Sequence, residues 1–279
     1  MKNILLLTDF SDNAQNAIHY ALQLFSGSKC IFFILNVQKV STYTTSDLMV
    51  SSTASSVYDS IIKNPKDALV KMVDDIDNKY RKEEYLFNAI CDYDSFLSSV
   101  NQVVAAKDID LIVMGTNGAS GAKEVIFGSN TLSVIRNVNC PVFVVPEGYK
   151  FVKLENILLA TEYDEVFSSE ILNPLMKMIA KHKTKLDILM LEDKIENTDL
   201  VNEKKNKIAT FFKDVNHNFY TIVNVPADIA IDCFVQLNKV HVIAKVIYKK
   251  SFFNRLFSGS TTDEITYNSR IPLLIMHPY

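Results

Sequence analysis

The sequence repeats itself. The stretch "NILLLTD" at residues 3–9 returns as "NILLATE" at residues 156–162. Later in each half a Gly-Ser pair precedes a helix-length segment, and a proline then opens the last apolar run. The spacing from Gly128 to Pro141 equals that from Gly259 to Pro272. Repetition on this scale predicts a duplicated domain.

The length of the chain agrees with two domains, because 279 residues exceed the usual size of one. The join falls near "PEGYKFVKLE", where a glycine and polar residues are typical of a short linker. We therefore predict one domain over residues 1–147 and a second over residues 153–279.

Each half alternates apolar runs with amphipathic segments. In the first half "NILLL" is followed by a helical stripe over residues 12–25, which Ser11 or Asp12 can cap. The pattern continues with "CIFFILNV", a helix around 66–81, "YLFNAIC", a helix around 96–106, "DLIVMG", a helix from about Ser129 and "PVFVVP". Continuous apolar strands separated by helices predict an α/β fold, with five parallel strands per domain. The Ser/Thr-rich segment 41–60 interrupts the pattern and predicts a mobile surface excursion.

Composition excludes several classes of function. The net charge of −3 gives no positive field for DNA or RNA, so we expect no nucleic-acid partner. The apolar runs are shorter than the ~20 residues of a membrane helix, and the N-terminus lacks the features of a signal peptide. We therefore expect a cytoplasmic protein with no membrane contact. The scattered histidines and the cysteines, which form no CxxC pair, predict no metal site.

Four of the seven glycines lie between Gly115 and Gly128. Gly115 ends an apolar run, and Gly128-Ser129 opens a helical segment. In an open parallel sheet, ligands bind beyond the carboxyl ends of the strands, and a helix N-terminus there favours phosphate. The cluster therefore predicts an anion site, to which Ser129, Asn130 and Thr131 would add side-chain donors. A flexible loop without a ligand is the alternative.

The spacing excludes the better-known phosphate loops, because neither GxxxxGK(S/T) nor GxGxxG occurs. The pattern is Gly115, two residues, Gly118, nine residues, then Gly128-Ser129. This pattern resembles the G-x2-G-x9-G-S/T motif of the universal stress protein family, specifically its nucleotide-binding members. The opening "ILLLTDFSDNAQNAIHYA" also looks like the first strand, acidic residue and first helix of that family. The resemblance spans essentially the whole chain as a tandem pair.

The resemblance implies the adenine nucleotide alpha hydrolase-like fold, with strand order 3-2-1-4-5 in each of two tandem, doubly wound sheets. It implies ATP, or AMP or ADP, as the bound cofactor, with Mg²⁺ as an optional companion. It assigns Asp9 to the adenine or ribose and Val37 to the base; capping of the first helix is the alternative for Asp9. The ribose and phosphates would be lined by Met114, Gly115, Asn117 and Gly118, and the triphosphate held by Gly128, Ser129, Asn130 and Thr131.

The second half departs from the motif. Counting from Gly259, the positions that match Gly115 and Gly118 hold Val246 and Lys249, and Glu162 matches Asp9. Only Gly259-Ser260 survives. A branched side chain at Val246 would stand where the backbone should approach phosphate. We therefore expect the second domain to bind nucleotide weakly or not at all.

Three functions stay open at this point. The first is an ATP-binding stress-response protein acting as a nucleotide-dependent regulator, and the second is a nucleotide-independent structural or adaptor protein. The third is a weak ATPase, although phosphoryl transfer needs a metal, a basic clamp and a water-orienting group, and the sequence offers no convincing set. The resemblance further implies an intramolecular pseudo-dimer through the last strand of each half, with homodimerisation as an extension of it.

Overall fold

The structure is a computed structural model of the chain. It describes residues 2–38, 54–116, 127–162, 168–192, 198–247 and 270–278. The predictions for Asn117, Gly118, Lys249, Gly259 and Ser260 fall outside these residues. Across the described part of the chain, none of the helices is both long enough and apolar enough to span a bilayer.

Strands and helices alternate along the first half. In chain order the elements are β1 (Lys2–Leu7), α1 (Asp12–Leu24), β2 (Cys30–Val37), α2 (Ala54–Lys79), β3 (Tyr85–Asp92), α3 (Phe96–Ala106), β4 (Leu111–Gly115), α4 (Ser129–Asn137) and β5 (Val142–Val145). The described parts of the second half give β6 (Asn156–Glu162), α5 (Ser169–His182), β7 (Lys185–Glu192), α6 (Thr198–Phe211), β8 (His217–Val223), α7 (Ala227–Leu237), β9 (Val242–Val246) and β10 (Leu273–Met276).

All ten strands belong to one sheet, in the order β3-β2-β1-β4-β5-β10-β9-β6-β7-β8. The first five strands follow the order 3-2-1-4-5, which confirms the predicted α/β fold class. The last five strands repeat this order in the opposite direction along the sheet, so that β10, the fifth strand of the second half, lies next to β5. Every pairing is parallel except that of β5 with β10, where Phe143 lies opposite Leu274. The expected pair of separate sheets is therefore continuous through this antiparallel contact.

Strand composition explains why both faces of the sheet are covered. Residues 4–7 of β1 are all buried, and their side chains alternate between two cores. Ile4 and Leu6 join one core beneath α1, α2 and α5, whereas Leu5 and Leu7 join the other beneath α3, α4 and α7. Each core contains residues from both halves of the chain. Such two-sided burial is typical of parallel strands.

Helix α2 begins earlier than the pattern predicted. The structure has a helix over Ala54–Lys79, whereas the sequence predicted one around 66–81 and a surface excursion over 41–60. Residues 54–60 are therefore helical, and 41–53 lie outside the described residues. Pro65 lies inside this helix. Tertiary packing of Leu69 and Ile76 into the core outweighs the weak helix propensity of serine.

Candidate nucleotide site at the carboxyl edge of the first half

The turn after β1 is held by its own side chains. Thr8 Oγ1 accepts a hydrogen bond from the Phe10 N–H at 3.0 Å. Asp9 Oδ1 accepts from the Ser11 N–H at 3.1 Å and from the Ser11 hydroxyl at 2.6 Å. Phe10 adopts a positive φ of 65°, which is uncommon for a bulky residue. These contacts fix the exposed carboxylate of Asp9 at the rim of the sheet.

Ser11 also begins α1. Its side chain accepts from the Ala14 N–H at 3.2 Å, so Ser11 rather than Asp12 is the N-cap. The contact of Asp9 with Ser11 corresponds to the capping alternative for Asp9, since the carboxylate orders the residue that caps the helix. A role for Asp9 toward a ligand stays a prediction.

Asn36 ties the end of β2 to the same turn. Its side chain is buried, and Nδ2 donates to the Thr8 carbonyl at 2.8 Å. Gln38 donates to the other end of the Asn36 amide. The next residue, Val37, is half-buried and packs on the core beneath α3 and α4. Because β2 neighbours β1, Val37 ends its strand at the same edge as Asp9.

The end of β4 is covered by α1. A β-carbon placed on Gly115 would lie 2.8 Å from Asn13 Nδ2 and 2.9 Å from Asn13 Cγ, closer than real contacts allow. Glycine is therefore required here because the amide of Asn13 occupies that space. Met114, just before it, is buried in the core. The structure thus places the Asn13 amide against the Gly115 backbone at the end of β4.

Helix α4 begins directly beside the end of β4. The Gly128 N–H donates to the Thr116 carbonyl at 2.7 Å, which ties the start of α4 to the residue after β4. Gly128 is the N-cap, and no described side chain caps the first turn. Ser129 and Asn130 are exposed. The first-turn amides and the positive end of the helix dipole therefore face the rim without a capping side chain.

Thr131 faces the protein. Its side chain is buried, and its hydroxyl lies 3.0 Å from the carbonyl oxygens of both Gly115 and Thr116. One hydroxyl proton can be shared between these two acceptors. Thr131 therefore fastens the first turn of α4 to the end of β4, and a contact between this side chain and phosphate stays a prediction.

Strand pairing brings these groups to one crevice. In the pairing of β1 with β4, Leu6 lies opposite Val113, so continuing the register places Thr8 level with Gly115. Asp9 follows Thr8 by one residue, and α4 begins across β4 from it. Asp9, Val37, Gly115, Gly128, Ser129 and Asn130 thus share one edge of the sheet. Asn117 and Gly118 lie outside the described residues, so their predicted roles rest on the sequence.

Sequence reasoning missed Asn13, Asn36 and Thr8, whose hydrogen bonds or contacts shape this crevice. A signal for Asn13 exists, because it precedes Ala17 by one helical turn and so lies on the buried stripe of α1. A polar residue on a buried helical stripe indicates a specific contact. No comparable signal marks Thr8, since its role depends on the conformation of the turn.

The matching edge of the second half differs. Val246 ends β9 and is buried, so its side chain lies where the first half has Gly115. The helix after β6, α5, matches α1 and likewise begins at a serine cap, since Ser168 accepts from the Ile171 N–H at 3.2 Å. Among the described residues of either half, no group of three or more His, Cys, Asp or Glu side chains could hold a metal ion.

The sequence model of the universal stress protein family matches residues 1–146, which is more than half of the chain and contains all of β1 to β5. The chain belongs to the universal stress protein family. A universal stress protein of Methanocaldococcus jannaschii is 48% identical over 44 residues, which are 16% of this chain and 26% of that relative. The chain therefore matches about a quarter of the length of this curated relative.

Solved structures support the fold of this universal stress protein over its full length. A universal stress protein from Archaeoglobus fulgidus superposes with a TM-score of 0.67 at 17% identity, covering 98% of this chain and 95% of that one. A second such structure, from Pseudomonas aeruginosa, gives a TM-score of 0.66 at 13% identity, covering 99% and 93%. Identities this low show a common fold and say nothing of ligands.

Proposed function

We propose that this universal stress protein binds an adenine nucleotide, ATP or its mono- or diphosphate relative, at the carboxyl edge of its first five strands. The observation that carries the proposal is the start of α4, where the Gly128 N–H is fixed to the Thr116 carbonyl and no described side chain caps the helix. An exposed, uncapped helix N-terminus at this edge of a parallel sheet attracts phosphate.

Some of the described residues would touch the nucleotide, and others would hold those residues in position. Ser129 and Asn130, with the first-turn amides of α4, would bind the phosphates, and Gly128 lets the backbone approach them. Asp9 would accept from the ribose or adenine, and Val37 would pack against the base. Met114, Gly115 and Thr131 would act by placement, since their side chains or Cα face the protein. Asn13 would then present its amide to the nucleotide in the space above Gly115.

We further propose that the second half is a degenerate domain of the same family, which makes the chain a tandem universal stress protein. The buried Val246 supports this, because a branched side chain occupies the place that Gly115 has in the first half. The two halves would form an intramolecular pseudo-dimer through β5 and β10. Nucleotide occupancy in the first half would alter the affinity of the protein for a partner during stress response.

Isothermal titration with ATP, ADP, AMP and cyclic AMP tests the proposal, and Ser129→Asp sharpens the test. Ser129 is the first residue of α4, where an added carboxylate favours the helix dipole but repels phosphate. We expect Ser129→Asp to keep the fold and to weaken ATP binding by roughly ten-fold or more. Ser169 is the exposed first residue of α5, a helix that matches α1 rather than α4, so Ser169→Asp makes the same change at a helix start outside the proposed site and is the control.

Two results would contradict the proposal. One is a folded wild-type protein that binds none of the four nucleotides at millimolar concentration. The other is equal weakening by Ser129→Asp and Ser169→Asp, which would move the binding away from α4. A Mg²⁺-dependent turnover assay on the same samples distinguishes binding from slow hydrolysis.

A nucleotide-independent adaptor is the second candidate, and a specific observation favours it. The side chains of Asp9, Asn13 and Thr131 already have partners or contacts within the protein. A crevice organised for its own stability needs no ligand. This candidate predicts that a bulky residue at Gly118 leaves cellular behaviour unchanged, whereas a lost phenotype at unchanged stability would exclude it.

A further inference from the structure

A cavity of about 150 Å³ lies between the two halves, at the edge of the sheet opposite the nucleotide crevice. The first half contributes the start of β1, the end of α1 and the residues around the start of β4. The second half contributes one face of α5 and Leu274 of β10. The cavity therefore exists only where the two halves meet, and it shares none of its lining residues with the nucleotide crevice.

Three lysines line this cavity, and Asp110 is the one carboxylate among the lining residues. Lys2 comes from β1, whereas Lys177 and Lys181 lie one helical turn apart on α5. Burial lowers the pKa of Lys2, and the Lys177 and Lys181 charges lower it further. Asp110 Oδ2 accepts from the Asn3 N–H at 2.9 Å, so its carboxylate is already engaged. The wall carries an excess of positive charge.

Two of the lysines have contacts within the protein that leave their charges in place. Lys181 Nζ donates to the Ser26 carbonyl at 2.6 Å and to Ser28 Oγ at 2.7 Å. Lys2 Nζ lies 5.2 Å from the centre of the Phe25 ring. Lys177 is exposed, and no described carboxylate forms an ion pair with it. A bound anion would supply the missing negative charge.

His182 adds an acceptor to the same wall. The Leu24 carbonyl hydrogen-bonds the His182 ring, and Nε2 is buried with no partner among the described residues. The ring nitrogen that faces Leu24 is therefore Nδ1–H. Burial first, and then the Lys181 charge, lower the pKa of His182, so the ring is neutral and Nε2 has an open lone pair. A buried acceptor without a protein donor is satisfied by a donor from outside the chain, and a ligand hydroxyl or a water can supply it.

The rest of the wall is apolar. Ile4, Phe25, Met178 and Leu274 are buried and line the cavity. A cavity of about 150 Å³ with such walls is large enough for one benzene ring. The occupant therefore needs a compact, flat apolar body as well as an anionic group and a hydroxyl.

The matching place in the other half is filled by protein. Aligning α1 and α5 at their serine caps sets Tyr20 level with Lys177, just as β5 sets Phe143 opposite Leu274. Tyr20 is buried, stacks on Phe143 at 5.6 Å and meets Phe151 edge-on at 5.3 Å. Replacing this aromatic cluster by Lys177 and Leu274 opens the cavity and charges it.

We propose that this cavity binds a small aromatic carboxylic acid bearing a hydroxyl group, a hydroxybenzoate-class ligand. The carboxylate would be bound by Lys2, Lys177 and Lys181, the ring would lie against Phe25 and Met178, and the hydroxyl would donate to His182 Nε2. Because the ligand would touch both halves, it would stabilise their packing. This site is independent of the proposed nucleotide site.

Titration of the full-length protein with benzoate, the three hydroxybenzoate isomers and benzyl alcohol, followed by calorimetry and by NMR, tests the proposal. We expect benzoate to bind, at least one hydroxybenzoate to bind several-fold more tightly, and benzyl alcohol to bind at least about ten-fold more weakly than benzoate. High salt should weaken carboxylate binding, since the lysines are partly exposed. Equal binding of benzyl alcohol, or inorganic phosphate competing as well as benzoate, would overturn the proposal.

Two variants locate the binding. Lys177→Tyr restores the aromatic residue of α1 and removes a charge, and we expect it to weaken benzoate binding by about ten-fold or more. Lys213→Tyr makes the same change at an exposed lysine outside the cavity and should have no effect. His182→Phe keeps an aromatic ring and loses the acceptor, so it should abolish the preference for the hydroxyl while benzoate still binds. Unchanged binding in folded Lys177→Tyr would contradict the assignment.

Discussion

The side-chain amide of Asn13 lies directly against the α-carbon of Gly115. A β-carbon at Gly115 would come within 2.8 Å of Asn13 Nδ2, although Asn13 is on α1 and Gly115 ends β4. This contact joins the first helix to the strand that ends at the first glycine of the motif. The glycine of the family motif thus has a structural reason in this chain that is separate from any ligand.

We expect Gly115→Ala to lower the free energy of unfolding by about 1–3 kcal/mol, because the new methyl group must displace a buried amide. Asn13→Ala should relieve the clash, so the double variant should be less destabilised than the sum of the single ones. Urea denaturation of the four proteins gives the coupling energy. Gly27→Ala is the control: Gly27 has a φ of +74° and nothing nearby, so its cost should be additive with Asn13→Ala. Additivity at Gly115 would refute the contact.

The serine caps of α1 and α5 form a matched pair. Ser11 and Ser168 each accept from the N–H three residues on, at 3.2 Å in both cases. We expect Ser11→Ala and Ser168→Ala each to cost about 1 kcal/mol of unfolding free energy. The Ser11 hydroxyl also donates to Asp9, so only Ser11→Ala should remove one of the two hydrogen bonds from Ser11 to this carboxylate and change nucleotide affinity. Calorimetric titration with ATP compares the two variants. A similar change of ATP affinity in both would show that Asp9 does not contribute to nucleotide binding.

The sequence was sufficient for the architecture and insufficient for the details of the crevice. Apolar runs and helical stripes predicted α1, α3 and the parallel strands of the first half, because burial on both faces dictates composition along each strand. The strand order was implied by the family resemblance. The start of α2 was wrong, since the serines around residue 55 favour a loop locally and packing further along the helix decides otherwise.

The direction of a side chain depends on packing between elements distant in sequence. Thr131 looked like a phosphate donor beside Gly128, yet its hydroxyl reaches the carbonyls at the end of β4. The linker residues Tyr149 and Phe151 likewise pack near Tyr20. The cavity between the halves was not predictable either, because Lys2 and Lys177 meet only after β5 pairs with β10.

Three histidines should make stability depend on pH. Burial lowers the pKa of His19, His182 and His277 below the ordinary value of 6.5. Below that value the unfolded chain binds protons that the folded protein does not, so stability is greatest above it and falls on acidification. Each histidine contributes at most about 1.4 kcal/mol per pH unit in this range.

Urea midpoints measured from about pH 7.5 to about pH 5.5 test this effect. His277→Gln should flatten the profile, because His277 Nε2 is buried without a partner among the described residues and the glutamine cannot take up a proton. Hydrogen bonds from Ser26 and Gly27 hold the pKa of Glu83 below its ordinary value. Its contribution to stability is therefore lost only at a pH below the range in which the histidines titrate. A profile of His277→Gln parallel to that of the wild type would show that this histidine is protonated equally in both states.

Finally, the continuous sheet predicts that the two halves unfold together. Leu274 of β10 is fully buried, lies opposite Phe143 of β5 and belongs to a core that contains residues from both halves. We expect Leu274→Ala to lower the free energy of unfolding by about 2–5 kcal/mol and to leave a single transition that is shifted as a whole. Leu237→Ala is the control, because Leu237 is 84% exposed and its removal should be nearly neutral. Fluorescence and circular dichroism followed through the same urea titration would reveal separate transitions if each half were stable alone. In that case Leu274→Ala would shift only one of them, and the antiparallel contact would be a docking surface between two independently folded units.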